Sequence, residues 1–579
     1  MNSAVSEFRT WLEYPNHPEA IRTELLQIQG DDVEITERFG RELEFGTGGM
    51  RGVLGAGLSR MNVYTIRKAS LGLAKFVADQ GEQAKRRGVA IGYDCRRMSY
   101  EFALETGLVL AASGVKAYVF EHLCPTPELS YAVRHLQAAA GVMITASHNP
   151  PEYNGYKVYD SEGCQLLPDA AARLTEHIRS VEDLFRIGVS TQVEAESSGL
   201  LEFVGRELDE LYFREVLEAV RSSQVTDEQR RALKLVYTPL HGTGNVPVRT
   251  VLERAGYSHC LVEPSQEKPD GEFSTVKSPN PEEPAAFERS LQLARQVQAD
   301  LVLATDPDAD RVGVAVRDAQ GDYQLLTGNQ TGGLLIDFLL EQAVSERRLP
   351  ANGIVFKTIV TSDLGAAAAR ARGVAVEDTL TGFKYIGGRI ADYEKTQEKQ
   401  FLFGYEESYG YLISPIVRDK DAVQSCLLIA EMAASYKAQG KNLLDALSNL
   451  FSRYGYFKEE LVSASLPGEE GMARIQEIMS LLRAEGPRVD ALKLAAVEDY
   501  TALIRTWQPG SPRAGEVESI VLPSADVLKY VFDGGAWLAI RPSGTEPKIK
   551  FYLGARANSS DECEGQLVRL REGVNRILK

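Results

Sequence analysis

The chain has 579 residues, 44% of them apolar and 25% charged, and a net charge of −17; this is the balance of an ordinary globular protein of about four domains, each able to bury its own core. So large an acidic surplus argues against nucleic acid as a partner, although a basic pocket can lie inside an acidic shell. No apolar run approaches the roughly eighteen residues of a membrane crossing, and the first twenty lack the cationic start and apolar core of a signal peptide.

Residues 1–40 alternate apolar and acidic positions around Pro15 and Pro18 and read as two short surface helices. FGTGGMRG (residues 45–52) is a glycine-rich turn carrying Arg51. It lacks the GK[ST] ending of a P-loop, and by itself is equally a structural turn or an anion site. Residues 64–80 have helical spacing; then come a strand at 89–94, a helix at 99–113, the strand KAYVF, a helix at 127–136 and the strand GVMIT. Such alternation predicts a mostly parallel sheet covered on both faces.

The last of these strands opens the stretch GVMITASHNPPEYNGYK (residues 141–157). Val142, Met143 and Ile144 deliver Thr145, Ala146, Ser147 and His148 to a turn bounded by Asn149, Pro150 and Pro151. The prolines predict a stiff, extended loop at Ser147. Ligands of α/β sheets gather at such strand ends, and a serine beside a histidine is a candidate nucleophile. Taken alone, the pair also fits a polar loop with a Pro-Pro bend.

The strand–helix pattern recurs through KLVYTPLHGTG (234–244), HCLVEP and ADLVLATDPDAD (299–310), and again through GIVFKTIVTSD (353–363), VAVEDT and FLFGYEESYG (401–410). These are three α/β repeats, each giving a loop to a shared cleft. From about residue 453 the short strands VLKYVF, WLAIRPSG and KIKFYLGA and a final helix from 560 predict an α+β domain beyond a hinge within 450–470. The expected fold is therefore three consecutive α/β domains, with mixed or mostly parallel sheets, plus a C-terminal α+β domain around a central cleft. The divisions are 1–205, 206–320, 321–452 and 453–579.

Asp306, Asp308 and Asp310 alternate along one loop, and three carboxylates so close need a cation; hard oxygen ligands suit Mg²⁺. An EF-hand is excluded, because it needs Gly where Arg311 stands and Glu where Arg317 stands. The same string also fits the opening of a haloacid-dehalogenase-like phosphatase, with Asp306 as nucleophile. Asp310 departs from that pattern, which in addition leaves TASHNP unexplained. Glu406 and Ser408 in GYEESYG can pair with sugar hydroxyls, and TGFKYIG supplies Lys384. Arg541, Ser543, Gly544, Thr545 and Lys548 in RPSGTEPK offer a guanidinium fork, hydroxyls and backbone N–H groups to a phosphate dianion. The six cysteines (Cys95, Cys124, Cys164, Cys260, Cys426, Cys563) have no CxxC spacing, which points to reduced thiols in a cytoplasmic protein and away from zinc.

TASHNP with a lysine ten residues after its serine, then DPDADR, GYEESYG and RPSGTEPK in that order, resemble the motifs of the α-D-phosphohexomutases. The resemblance spans roughly residues 40–555 and is greatest to the long, glucomutase-like members. It implies that Ser147 carries a phosphoryl group, that Arg51 reaches it, and that Ser147, Asp306, Asp308 and Asp310 share Mg²⁺. Arg51, Lys157 and Arg311 would steady the moving charge, with His148 and Lys157 both open as proton-transfer groups. Glu406 and Ser408 would bind the hydroxyls at C3 and C4, Lys384 would lie near the substrate, and the RPSGTEPK loop would hold phosphate. Some dual-specificity members carry a histidine in the sugar loop; this chain has none there.

The implied reaction interconverts α-D-glucose 1-phosphate and glucose 6-phosphate through a glucose 1,6-bisphosphate intermediate. Mannose, pentose and aminosugar phosphates are the alternative substrates. A non-catalytic sugar-phosphate sensor would have lost Ser147 or an aspartate, and neither is lost.

Overall fold

The computed structural model describes residues 3–46, 48–466, 468–543 and 548–579. The chain forms two compact units, one of Met1–Leu326, Phe383–Phe403 and Tyr409–Gly440, the other of Thr327–Gly382, Gly404–Ser408 and Lys441–Lys579.

The first unit begins with three helices, Ser3–Glu13, Glu19–Gln27 and Asp32–Phe39, where the sequence suggests two on the surface. The third starts at Asp31, whose carboxylate accepts from the backbone N–H groups of Val33 and Glu34. Nor are the three merely superficial. Phe8, Trp11, Leu25 and Phe39 are buried in a cluster with Tyr64, and the Trp11 and Tyr64 rings lie 5.2 Å apart.

Six strands follow in one sheet: β1 Gly49–Val53, β2 Val89–Tyr93, β3 Ala117–Phe120, β4 Ala140–Ile144, β5 Tyr153–Tyr159 and β6 Leu201–Val204. Their order is β1-β5-β4-β2-β3-β6. Every residue of β2 and β4 is buried, as expected of strands covered on both faces. The sheet is mixed: β4, β2, β3 and β6 run parallel, but β5 returns antiparallel beside β4 and pairs with β1. The serine loop is therefore the tip of a hairpin.

A second sheet repeats this device. Its strands are β7 Leu235–Thr238, β8 Cys260–Val262, β9 Leu301–Thr305, β10 Val312–Arg317 and β11 Tyr323–Leu326, in the order β11-β10-β9-β7-β8. β7, β8 and β9 are parallel, whereas β10 folds back on β9, with Val312 opposite Thr305. The aspartate loop thus joins two antiparallel strands.

In the second unit β12 Gly353–Thr358 pairs in parallel with β13 Ala375–Thr379. β14 Gln400–Glu406 crosses from the first unit into the second, and β15 Gly410–Leu412 belongs to the first. The remaining strands, β16 Tyr456–Ser465, β17 Leu494–Asp499, β18 Ile504–Trp507, β19 Val517–Ser519, β20 Leu528–Phe532, β21 Trp537–Pro542 and β22 Lys548–Ala557, form an antiparallel sheet closed by the helix Ser560–Leu578. Much of the stretch 450–470, where the sequence places a hinge, is regular structure among the described residues. Helix Leu443–Tyr454 runs almost directly into β16, whose ten residues all pair with β22.

Candidate active site

Ser147 lies at the tip of the β4–β5 hairpin and is 6% exposed. Its backbone is not extended as the prolines suggest. With φ of 51° it occupies the left-handed region, in a turn closed by the Asn149 N–H donating to the Ala146 carbonyl at 3.1 Å. The hairpin explains the ten-residue interval to Lys157, which sits on the returning strand opposite Met143. Ser147 Oγ donates to Asp306 Oδ2 at 2.7 Å and lies 3.3 Å from His148 Nδ1.

Asp306, Asp308 and Asp310 are each at most 3% exposed, and a carboxylate oxygen from each lies within 4.8 Å of the others. Asp306 Oδ1 accepts from the N–H groups of Asp310 (3.1 Å) and Arg311 (3.0 Å). Asp308 Oδ2 accepts from Lys157 Nζ at 2.8 Å and Thr126 Oγ1 at 2.9 Å. Asp310 Oδ2 faces Lys420 Nζ at 3.1 Å and Lys157 at 3.9 Å. Asp306 and Asp308 therefore titrate apart. Burial and the charges of Asp308 and Asp310 push Asp306 well above the usual range, whereas Lys157 outweighs burial at Asp308 and holds it below.

The donor set fits a hard divalent cation. Oδ1 of Asp308 and Oδ1 of Asp310 are buried without a hydrogen-bond partner, and all the acidic donors are oxygens.

Cations surround the cluster. Arg51, on β1, donates from Nη1 to Asn149 Oδ1 at 2.9 Å, and Arg311 Nη1 donates to Glu282 at 2.6 Å. Burial, then Arg311 and Arg51, hold the His148 imidazole well below its ordinary pKa, so it is neutral. Burial would lower Lys157, but Asp308 and Asp310 raise it and keep it charged.

Of the expected residues, Ser147, His148, Arg51, Lys157, Asp306, Asp308, Asp310 and Arg311 converge in the first unit. Lys384 belongs there too, buried rather than solvated and on the helix Phe383–Thr396. Its neighbour Phe383 lies under Lys420 Nζ, 5.6 Å from the ring centre.

Within the second unit, Glu406 is buried and accepts from the Gly382 N–H at 2.8 Å. Glu407 Oε2 accepts from Thr361 Oγ1 (3.0 Å) and Thr358 Oγ1 (3.2 Å), which anchors the loop before Ser408. Arg541 and Ser543 lead into the β21–β22 hairpin, where the Ser543 N–H donates to the Lys548 carbonyl at 2.8 Å. Gly544 and Thr545 lie outside the described residues. Tyr552 is 6% exposed; burial and the carboxylates of Glu407 and Glu406 raise its pKa, and Arg541 opposes them.

Thr126, Lys420, Glu407 and Tyr552 went unread in the sequence. The proline-flanked Thr126 in CPTPEL was a usable signal, since such a threonine begins a helix; the others are single polar residues without a pattern.

Four consecutive family models match the chain. They are the phosphoglucomutase/phosphomannomutase α/β/α domain I (residues 42–184), domain II (210–321), domain III (327–454) and the C-terminal domain (482–572). A phosphoglucomutase of Staphylococcus epidermidis is 40% identical over 91% of this chain and 93% of its own. One from Staphylococcus saprophyticus is 37% identical over 96% and 98%. The chain belongs to the phosphoglucomutase/phosphomannomutase family. Membership makes it an isomerase-class intramolecular phosphotransferase. Solved structures agree on the fold. A phosphoglucomutase/phosphomannomutase family protein from Burkholderia thailandensis superposes with a TM-score of 0.65 at 16% identity, covering 92% of this chain and 97% of that one. The open form of parafusin, a phosphoglucomutase from Paramecium, gives 0.64 at 16% identity, covering 92% and 94%. Among the described residues of this family member, no helix is long and apolar enough to cross a membrane.

Proposed function

We propose that the protein is a cytoplasmic enzyme that interconverts α-D-glucose 1-phosphate and glucose 6-phosphate, through phosphorylated Ser147 and a glucose 1,6-bisphosphate intermediate. The observation that carries this reading is the Ser147 hydroxyl, held 2.7 Å from a buried three-carboxylate cluster in a chain 40% identical to a phosphoglucomutase.

Phosphate monoester cleavage is very slow without catalysis, so the site must place its charges before the reaction. Asp306, Asp308, Asp310 and the Ser147 oxygen would hold Mg²⁺, which when bound neutralises charge on the phosphoryl oxygens. Arg51, Lys157 and Arg311 steady the transferring group. In the forward direction the substrate 6-hydroxyl attacks the phosphorus of phospho-Ser147, the bond to Oγ breaks, and the hydroxyl proton leaves. Neutral His148, 3.3 Å from Ser147 Oγ, can take a proton; charged Lys157 is suited to donate one. After the bisphosphate reorients, Ser147 Oγ gives up its proton and attacks the phosphorus at C1, the bond from phosphorus to the C1 oxygen breaks, that oxygen takes up a proton, and glucose 6-phosphate is released. Glu406 and Ser408 take sugar hydroxyls, Lys384 lies near the substrate, and Arg541, Ser543, Gly544, Thr545 and Lys548 hold the phosphate not being transferred. The four segments 1–205, 206–320, 321–452 and 453–579 carry these parts in turn.

Mannose and pentose phosphates are the competing substrates. Parallel assays with Mg²⁺ and a trace of glucose 1,6-bisphosphate on glucose, mannose and ribose 1-phosphates test the assignment. The highest kcat/KM is expected with glucose 1-phosphate, and a higher value with another sugar reassigns the substrate.

A further inference from the structure

A serine keeps a left-handed backbone only where its surroundings over-determine it. At Ser147 those surroundings are two buried residues just past β2, Asp94 (1% exposed) and Arg96 (3%). The Arg96 guanidinium donates from Nη2 to the carbonyls of Ser147 (2.5 Å) and Asn149, and from Nη1 to those of Pro150 (2.8 Å) and Tyr153 (3.1 Å). One cation thus gathers four carbonyls of the hairpin loop, with its flat face 4.9 Å from the Phe273 ring centre.

Asp94 is the other half of the device. Its carboxylate pairs with Arg96 Nε at 3.2 Å and accepts from Thr145 Oγ1 (2.6 Å), Ser99 Oγ (2.7 Å) and the Arg96 N–H (2.9 Å). Thr145 Oγ1 in turn accepts from the Ser147 N–H at 2.8 Å. The two peptide groups of Ser147 are therefore tied to one ion pair, the carbonyl directly and the N–H through Thr145.

We propose that Asp94 and Arg96 are positioning residues for phosphoryl transfer: by fixing both backbone groups of Ser147 in the left-handed turn, they aim its Oγ at the aspartate cluster. This rests on the reading of Ser147 as the phosphoryl carrier. A role confined to folding requires only that the loop be anchored. The clamp acts on the one residue whose side chain reacts, where an error of about 1 Å costs on the order of a hundredfold in rate.

Thr145→Val removes the relay at nearly constant volume, and Arg96→Lys keeps the charge but cannot span four carbonyls. The readouts are kcat and KM for glucose 1-phosphate, the rate of Ser147 phosphorylation by glucose 1,6-bisphosphate followed by intact-protein mass, and Tm. The expected result is a fall of about tenfold or more in kcat and in phosphorylation rate with KM within about threefold, and recovery in Thr145→Ser. Wild-type kcat in Thr145→Val overturns the proposal, and so does a loss that Thr145→Ser fails to recover. If Arg96→Lys does not fold, the Thr145 pair decides. Ser147→Ala, run alongside, separates the two levels. Turnover surviving in Ser147→Ala removes the phosphoserine reading and the clamp with it; turnover lost there but intact in Thr145→Val removes the clamp alone.

Discussion

Ser147 and Asp306 are 159 positions apart in sequence, and the hydroxyl of one donates to the carboxylate of the other at 2.7 Å. Each stands on a hairpin loop of a different sheet, so two folded-back strands bring together a hydroxyl and the head of an acidic cluster. If that hydroxyl carries the phosphoryl group, Ser147→Ala abolishes turnover. It also removes the added mass of about one phosphate from the intact protein. The cost to folding is one hydrogen bond, about 1–2 kcal/mol at most. A variant that folds and still turns over at the wild-type rate would transfer the nucleophile's role elsewhere.

The oxygens of Asp308 and Asp310 that lack a hydrogen-bond partner predict that the cluster binds Mg²⁺ in the folded protein. Millimolar Mg²⁺ should raise the Tm of the wild type, because a ligand at about a hundred times its Kd adds about 2.7 kcal/mol to stability. Asp308→Asn should abolish that rise, and EDTA should abolish activity. Full turnover in excess chelator, or an equal Tm response in the variant, would dismiss these carboxylates as ligands.

The chemistry of the first unit was legible because it is written in short strings. TASHNP and DPDADR each place reactive side chains within a few residues, and a strand ahead of each fixes where they emerge. What the strings hide is the return of the chain. Nothing in the residues of β5 or β10 announces their direction, yet their antiparallel pairing is what sets Lys157 beside Asp308. Local preference also failed at Ser147, where two following prolines favour extended backbone but convergent hydrogen bonds to Arg96 and Thr145 prevail. Tyr552 was illegible for a related reason. Its surroundings combine Glu407, distant in sequence, with Arg541 on the neighbouring strand.

Asp421 offers a test by pH. It is fully buried, caps the helix Ala422–Ala438 by accepting from the Gln424 N–H at 2.9 Å, and accepts from Tyr212 at 2.9 Å. Burial raises its pKa to about 6, against an ordinary value of 3.8. A carboxyl with a raised folded-state pKa contributes stability that is complete below its unfolded value and is lost as pH rises through the folded one. The window is therefore about pH 4 to 6, and the full effect is up to about 3 kcal/mol. Asp421→Asn keeps a capping side chain and should lose this dependence, so that it gains on the wild type as pH rises from 4 to 7. Urea unfolding of both proteins across that range measures it; a difference that does not vary with pH would sink the assignment.

The last prediction concerns the loop after β21. A bisphosphate that presents first one end and then the other to Ser147 needs cations for the end that is not reacting. Arg541 and Lys548 lie at the ends of the paired strands β21 and β22, and Arg541 shares the surroundings of Tyr552 with Glu406 and Glu407 within the second unit. Arg541→Ala should weaken both reaction directions, with KM affected more than phosphorylation of Ser147, because the arginine serves binding rather than bond-making. Losing a charge-assisted fork costs roughly 2–4 kcal/mol, which lowers kcat/KM by tens to hundreds of fold. Lys548→Ala, removing a single point charge, should show the same pattern with a smaller loss. Kinetics with glucose 1-phosphate and glucose 6-phosphate measure both variants, and kcat/KM near wild type in both directions would take this loop out of the active site.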